Sequence, residues 1–456
     1  MSNFASLGLG ARALQAAQRG LELSGQNISN VNTAGYSRQR LDQVAQGSAA
    51  VPALFSRSTG MGDGVLVRGA DRIRDEFLEA RAQQVRGTQA SAATAQATLG
   101  SVEAAFGEPS STGLQAQMAS FWNAWHDVAN DPTSAAPRQQ VLEVATSLAG
   151  SFARTSQQLG QQWADTREQL SATVAAVNRT AEDVAKLNDA IRAANASGTP
   201  SNELADQRDD LVLRLGESVG AVGRVGEDGT VTVTVGGTPL VSGSRASALA
   251  VGGPTTYPGG TGPVTVSWAA SGTPATLTGG SSQGMLTALT TTIPGYVSAL
   301  DTVAGQLTGA VNSQQAAGFD RTGATGAAVF GGTSAATMTV TLTDPQGVAA
   351  SSAPPPAYDG DNATTMAGHL TDPAGPDASY RAMVVQLGVQ SQGATRQAGV
   401  QDVMLRQVDS ARLGVSSVSL DEEMTNLMTY QHAYEAAARF VSVIDSALDS
   451  LMNMAR

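Results

Sequence analysis

The stretch that decides the fold lies near the C-terminal end: SLDEEMTNLMTYQHAYEAAARFVSVIDSALDSLM, Ser419 to Met452. Its apolar positions Leu427, Tyr430, Tyr434, Ala437, Val441, Ile444, Leu448 and Leu451 alternate three and four apart without a break. An ordinary amphipathic helix drifts at 3.6 residues per turn, whereas a strict 3.5 repeat is the seam of a coiled coil. Ser419 followed by Glu422 reads as a capping box. Asp421, Glu422 and Glu423 fill the first turn, where the helix dipole favours negative charge. At ~1.5 Å per residue the stretch makes a rod of roughly 50 Å. A seam of that length needs an apolar partner along all of it.

The other end of the chain offers one. Between Phe4 and Ser29, Leu7, Leu14, Leu21 and Ile28 fall seven apart, with Phe4 and Ala11 on a second row that weakens to Gln18 and Gly25. Neither helix can bury its face alone, so the spacing predicts that they pack together and loop the rest out between them. The first helix stops at Asn30-Val31-Asn32-Thr33-Ala34-Gly35-Tyr36-Ser37-Arg38, a run of turn formers in which Gly35 can take positive φ.

The expected fold is mainly α with β insertions: terminal helices paired as a coiled coil, a central helical-bundle domain, and one or more small inserted β-domains. Residues 1–70 and 414–456 make the terminal coiled-coil domain with its linker, 71–220 and 284–413 the helical domain, and 221–283 a β-domain. Leu41 to Val67 is extended, with a hairpin-type turn at Gly62-Asp63-Gly64. Helices fill 73–220, with breaks at Gly107-Glu108-Pro109, Asp131-Pro132 and Gly198-Thr199-Pro200. Trp163, Leu170, Val177, Val184 and Ile191, with Val174 and Ala181 between them, mark a buried seam. Val231, Val233 and Val235 alternate with Thr, and Val264, Val266 and Trp268 repeat the pattern, which predicts strands. Helix returns at Leu300, Val303, Leu307 and Val311. Residues 319–372 read either as a second β-domain or as a β- and loop-rich arm of the helical domain, with exposed loop expected over 359–377. A helix from Tyr380 to Arg412 carries Val400, Met404 and Val408 on one face.

Composition narrows the function. Net charge is −12 with no Lys/Arg run, which argues against nucleic acid. The chain has no cysteine, so disulfides, thiolate metal sites and cysteine nucleophiles are excluded. No apolar run reaches the ~20 residues of a membrane span, so no membrane insertion is expected. An N-terminus without an apolar run of roughly 7–15 residues predicts no cleaved signal peptide. The three histidines, His126, His369 and His432, lie in different segments and lack metal-ligand spacing. His126-Asp127 beside Trp122 and Trp125 is the most enzyme-like cluster, and an aromatic helix surface explains it equally well. No nucleophile elbow or phosphate-binding loop occurs. The acidic run from Asn202 to Leu211 lacks Ca²⁺-loop spacing and reads as a solvated helix face. No catalytic residue, metal or cofactor is predicted.

The run Asn30, Asn32, Thr33, Gly35, Tyr36 and Arg38 resembles the motif that closes the N-terminal helix of bacterial flagellar axial proteins. It is most similar to the family of hook-associated protein 1, found at the hook–filament junction. Val31 and Ala34 depart from a usual Ala and Pro, and losing the Pro leaves the turn less rigid. Asp71 to Leu78 and Asn202 to Leu211 resemble the same family. So does the C-terminal block: Val418 to Met424, Tyr430-Gln431, Tyr434 and Ala436 to Arg439. On this resemblance the C-terminal block separates the family from rod and hook proteins, which share the N-terminal motif.

The resemblance implies a structural protein exported by the flagellum-specific type III pathway. It implies self-assembly into a ring at the hook tip, with hook protein below and a second hook–filament junction protein above. The terminal rods would line the inside, the helical domain the next shell and the β-module the outside. The exposed seam is an aggregation hazard before assembly, so a cytosolic export chaperone is expected on the C-terminal helix. Leu7, Leu14, Leu21, Ile28, Leu427, Tyr430, Tyr434, Val441, Ile444, Leu448 and Leu451 are the candidate assembly and chaperone interface. Another flagellar axial protein, or an exported adhesin or enzyme with activity in the insertions, stays open at this point.

Overall fold

The computed structural model describes residues 3–47, 62, 64–257 and 262–454, with side chains from Ser6 onward. Asp63 and the side chain of Phe4 lie outside the described residues. Helix α1 (Asn3–Ser29) leads into an antiparallel ribbon of β1 (Gln39–Gln46) and β2 (Gly64–Arg72). Gln46 pairs with Gly64, where β2 begins, and the expected turn at Gly62-Asp63-Gly64 falls partly outside the described residues.

Four helices follow: α2 (Glu76–Phe106), α3 (Leu114–Asn130), α4 (Ala135–Ser197) and α5 (Asn202–Val219). Their breaks fall where glycine and proline predict them. Asp75 caps α2 by accepting from the N–H groups of Phe77 and Leu78. Gly107, Gly198 and Gly220 end α2, α4 and α5 in left-handed conformation, where a Cβ would be penalised. Helix α4 is 63 residues long and buries Trp163, Leu170, Val174, Val177, Ala181, Val184 and Ile191 along one stripe.

The region 221–283 holds a four-stranded antiparallel sheet in chain order, β3 (Val222–Val225), β4 (Val231–Val235), β5 (Thr238–Ser242) and β6 (Arg245–Ala246). A hairpin of β7 (Leu249–Gly252) and β8 (Thr265–Trp268) follows. Val231, Val233, Val235, Leu249, Val266 and Trp268 share one hydrophobic cluster with Trp163 and Leu170 of α4. Two asparagines of α4 act as surrogate strands. Asn188 donates to Val231 O at 2.8 Å and accepts from Val231 N at 2.9 Å, and Asn178 holds Leu249 O and N at 2.8 Å each.

After α6 (Ser281–Thr287), residues 288–292 form a π-helical segment leading into α7 (Ile293–Ala317). Such a segment loosens the regular backbone ladder, and Trp163 Nε1 donates to Leu289 O there at 2.9 Å. The arm beyond holds only β9 (Phe330–Gly331) and β10 (Thr339–Val340) as strands. It packs Val329, Phe330, Val348 and Ala350 into the same cluster as α4. Asn312 of α7 pairs with Val329 and Phe330 as Asn188 does with Val231. Part of the expected loop over 359–377 is helix α8 (Asp361–Gly368), which buries Asn362, Ala363 and Met366.

Helix α9 (Pro376–Ser416) returns the chain along α2. Only Val408 of the expected face is buried, against Ala82, Val85 and Leu213, while Val400 and Met404 are exposed. Trp122 and Trp125 are fully buried and are not a surface cluster; Trp122 donates to Asp377 at 2.6 Å, and His126 and Asp127 point to solvent. Helix α10 (Leu420–Met454) closes the chain by lying against α1.

Candidate assembly interface

The two terminal helices run antiparallel. A Cβ on Gly10 would meet Val441 Cγ2 at 2.7 Å, and one on Gly20 would lie 2.4 Å from the ring of Tyr430. Asn27, about two turns further along α1, donates to Glu423 Oε2 at 3.1 Å. The buried line of α1 is therefore Gly10, Ala17, Gly20, Ser24 and Asn27. Small residues supply the holes and α10 supplies the knobs. Leu7, Leu14, Leu21 and Ile28 are half-buried one row to the side, and Ala11 and Gln18 are exposed. The leucine heptad flanks the contact, because a leucine opposite Tyr430 would clash.

On α10, Ala437 and Ile444 are buried, while Leu427, Tyr430, Val441 and Leu448 are half-buried. Tyr434 and Leu451 remain 41 % and 49 % exposed. Leu420, Met424, Met428, Phe440, Val443 and Met452 are exposed as well. On α9, Val385, Val389, Val400 and Val403 also face solvent. The rod thus leaves much of its apolar surface uncovered within one chain.

A polar joint sits at the foot of the rod, built by the run from Asn30 to Arg38. Gly35 takes φ of 81°, which only glycine adopts freely. Asn30 donates to Gln26 O and accepts from Thr33 Oγ1, which turns the chain out of α1, while Asn32 is exposed. Tyr36 Oη donates to Asn27 Oδ1 at 2.8 Å, and the Gln39 N–H donates to the same oxygen at 3.1 Å. Arg38 Nε donates to Glu423 Oε1 at 2.8 Å, and its guanidinium also pairs with Glu422. Glu423 is only 2 % exposed and accepts from both Arg38 and Asn27, which is the pairing a buried carboxylate needs, while Arg38 and Glu422 reach toward solvent. The neighbouring Ser37 faces the other way, donating from N and Oγ to the two oxygens of Asp206 at 3.0 and 2.8 Å.

Asp206 belongs to the acidic run of α5, and here the structure corrects the expectation of a solvated face. Asp206 is 6 % exposed and accepts from Arg72 at 2.9 Å. Asp209 pairs with Arg72 at 2.8 Å, with Arg208 at 2.8 Å, and with Arg74. Burial alone would raise the Asp209 carboxyl, but Arg208, Arg74 and Arg72 together hold it below its ordinary value. Burial holds the Arg208 guanidinium below its ordinary value despite Asp209. The Tyr36 hydroxyl is pushed up to about 12, first by burial and then by Asp206, Glu203 and Glu423. Among the described residues no group of three His, Asp or Glu side chains could hold a metal ion. The joint is thus a set of ion pairs and amide contacts that fixes elements to one another.

Two signals of this joint were present in the sequence. Counting the α10 seam back from Leu427 by four gives Glu423, a carboxylate at a seam position. Asn27 likewise falls on the small-residue row of α1. Polar groups on an apolar seam announce a partner, and here each is the other's.

Residues 99–330 match the family described as the flagellar hook-associated protein FlgK helical domain. The chain belongs to the FlgK family of flagellar hook-associated proteins. Flagellar hook-associated protein 1 of Bacillus subtilis is 29% identical over 504 aligned residues, covering 99% of this chain and 98% of that one. The protein of the same name from Escherichia coli K12 is 34% identical over 242 residues, 52% of this chain and 43% of its own. The solved structure of the flagellar hook junction protein FlgK from Burkholderia pseudomallei shares the fold. Its TM-score is 0.65 at 16% identity, covering 76% of this chain and 100% of that one.

Residues 410–454 match the family described as the flagellar basal body rod FlgEFG protein C-terminal. This corrects one expectation: the C-terminal block is shared with rod proteins and does not set the FlgK family apart. The helical domain does so, and it decides against a hook or rod protein. The relatives are structural flagellar proteins, and the chain is a hook-associated component of the flagellum.

Proposed function

We propose that the chain builds the junction between hook and filament by assembling as a ring at the hook tip. The single observation that supports this most is the α1/α10 rod, whose seam is half-covered within one chain and whose flanks are lined with exposed leucine, methionine and valine. Such a surface gains by packing against copies of itself, since burial yields roughly 25 cal/mol per Å² of apolar area. In this reading, residues 1–70 and 414–456 form the inner wall, the helical domain of 71–220 and 284–413 the next shell, and 221–283 the outer face. Hook protein lies below the ring and a second junction protein above it. A cytosolic chaperone covers the α10 seam until export, which needs no cleaved signal peptide. The role is structural and non-enzymatic.

Deleting the gene tests the reading. Cells are expected to carry hooks without filaments and to shed unpolymerised flagellin into the medium. Filaments of normal number and attachment in the deletion strain would overturn it.

A further inference from the structure

The rod meets the helical domain at two consecutive residues that face opposite ways. Arg38 holds Glu423 of α10, while Ser37 holds Asp206 of α5. The Arg38 backbone is also fixed on both sides: its N–H donates to Ser416 O at 2.8 Å, and its carbonyl accepts from Ile73 N at 2.8 Å. Gln26 of α1 adds a bond to Glu203 at 2.9 Å, and Asn202 of α5 one to Ala70 O of β2 at 2.6 Å. By contrast, the seam above the joint is narrow and partly open, with Tyr434 and Leu451 nearly half exposed. Apolar packing of that kind resists bending poorly, whereas buried, hydrogen-bonded ion pairs are directional and fix geometry.

We infer that Ser37, Arg38, Asp206 and Glu423 form a latch that sets the angle between the terminal rod and the helical domain. The rod leaves this angle when the latch opens, while both parts keep their own folds. Arg38 and Asn27 hold α10 in register, and Ser37 with Asp206 ties that register to α5. The latch deepens the junction reading, since it prescribes how the inner wall is aimed relative to the outer shells. It is nevertheless a property of the single chain.

The absence of cysteine makes the test clean. Spin labels on the full-length chain at Ser446→Cys and Gln161→Cys report the rod against the helical domain by pulsed electron resonance. Labels at Gln161→Cys and Gln386→Cys report the helical domain alone. Adding Arg38→Ala or Glu423→Gln is expected to broaden the first distance distribution at least twofold and leave the second unchanged. Ser37→Ala, which removes one hydroxyl, gives a smaller broadening of the same kind. A first distribution as narrow in Arg38→Ala and Glu423→Gln as in the parent overturns the latch, and so does broadening of both distributions together. Either failure leaves the junction reading standing, because that reading is decided by filaments on cells.

Discussion

At the residue scale, the rod turns on which partner each side chain is given. Tyr430 fits because position 20 is glycine, and a methyl group there would lie within 2.4 Å of its ring. Gly20→Ala is expected to destabilise the α1/α10 contact by about 1–3 kcal/mol through overpacking. Faster hydrogen exchange in both helices, with α4 unchanged, would register it. Val441 stands over Gly10 in the same seam. Val441→Asp places an unpaired charge there, and the mutant protein is expected to be absent from isolated flagella while its helical domain melts normally. Asp209 gives a pH effect whose sign follows from its depressed carboxyl. Its ion pairs contribute full stability above the ordinary carboxylate value of 3.8 and lose it as pH falls through the lower folded-state value. Acid is therefore expected to loosen the contact between α5 and β2. Chemical denaturation of the parent and of Asp209→Asn as pH is lowered measures this, the variant showing the weaker pH dependence.

At the element scale, periodicity was readable wherever one face of an element is buried. The repeat from Trp163 to Ile191 is the buried stripe of α4, and the valine–threonine alternation of 231–235 is β4. Helix α8 escaped because its eight residues bury only Asn362, Ala363 and Met366 among glycine and threonine, too few for a period to register. The small-residue line of α1 escaped because Gly, Ala and Ser carry little hydrophobic signal, whereas the leucines beside it carry much. The polar joint was legible as a motif but not as a joint, since its partners lie hundreds of positions apart. Asparagines 178, 188 and 312 were silent as well: a lone amide in a helix looks like surface until the strand it completes is in place. Asn188→Ala would leave both polar groups of Val231 unpaired in a buried site. It is expected to cost about 2–4 kcal/mol, read as a lower urea midpoint with an unchanged slope.

At the scale of the whole molecule, strands and helices draw on one core. The same cluster contains Trp122 of α3, Trp163 of α4, Trp268 of β8, Phe330 of the arm and Tyr380 of α9. The terminal rod contributes nothing to that cluster; among its described residues the buried apolar side chains are Ala16, Ala17, Leu23, Ala437 and Ile444. Stability should divide accordingly. Hydrogen exchange on the isolated chain is expected to protect α3, α4 and α7 strongly and the outer turns of α1 and α10 weakly. Protection of both ends as strong as that of α4, without self-association, would contradict it.

The back-to-back placement of Ser37 and Arg38 has a mechanical meaning. Force applied along α10 reaches α5 through a narrow neck: the side chains of Ser37 and Arg38, with the Gln26–Glu203 and Asn202–Ala70 bonds and the Arg38 N–H on Ser416 O beside them. Beyond it α10 extends as a lever of about 50 Å. A few degrees of slack at the neck displace the lever's far end by several ångströms, and a neck without slack makes the far end as stiff as the helix itself. In a tube of such levers, compliance would be governed by the bond length of a few ion pairs, and a single substitution there would retune it without touching the shape of any part.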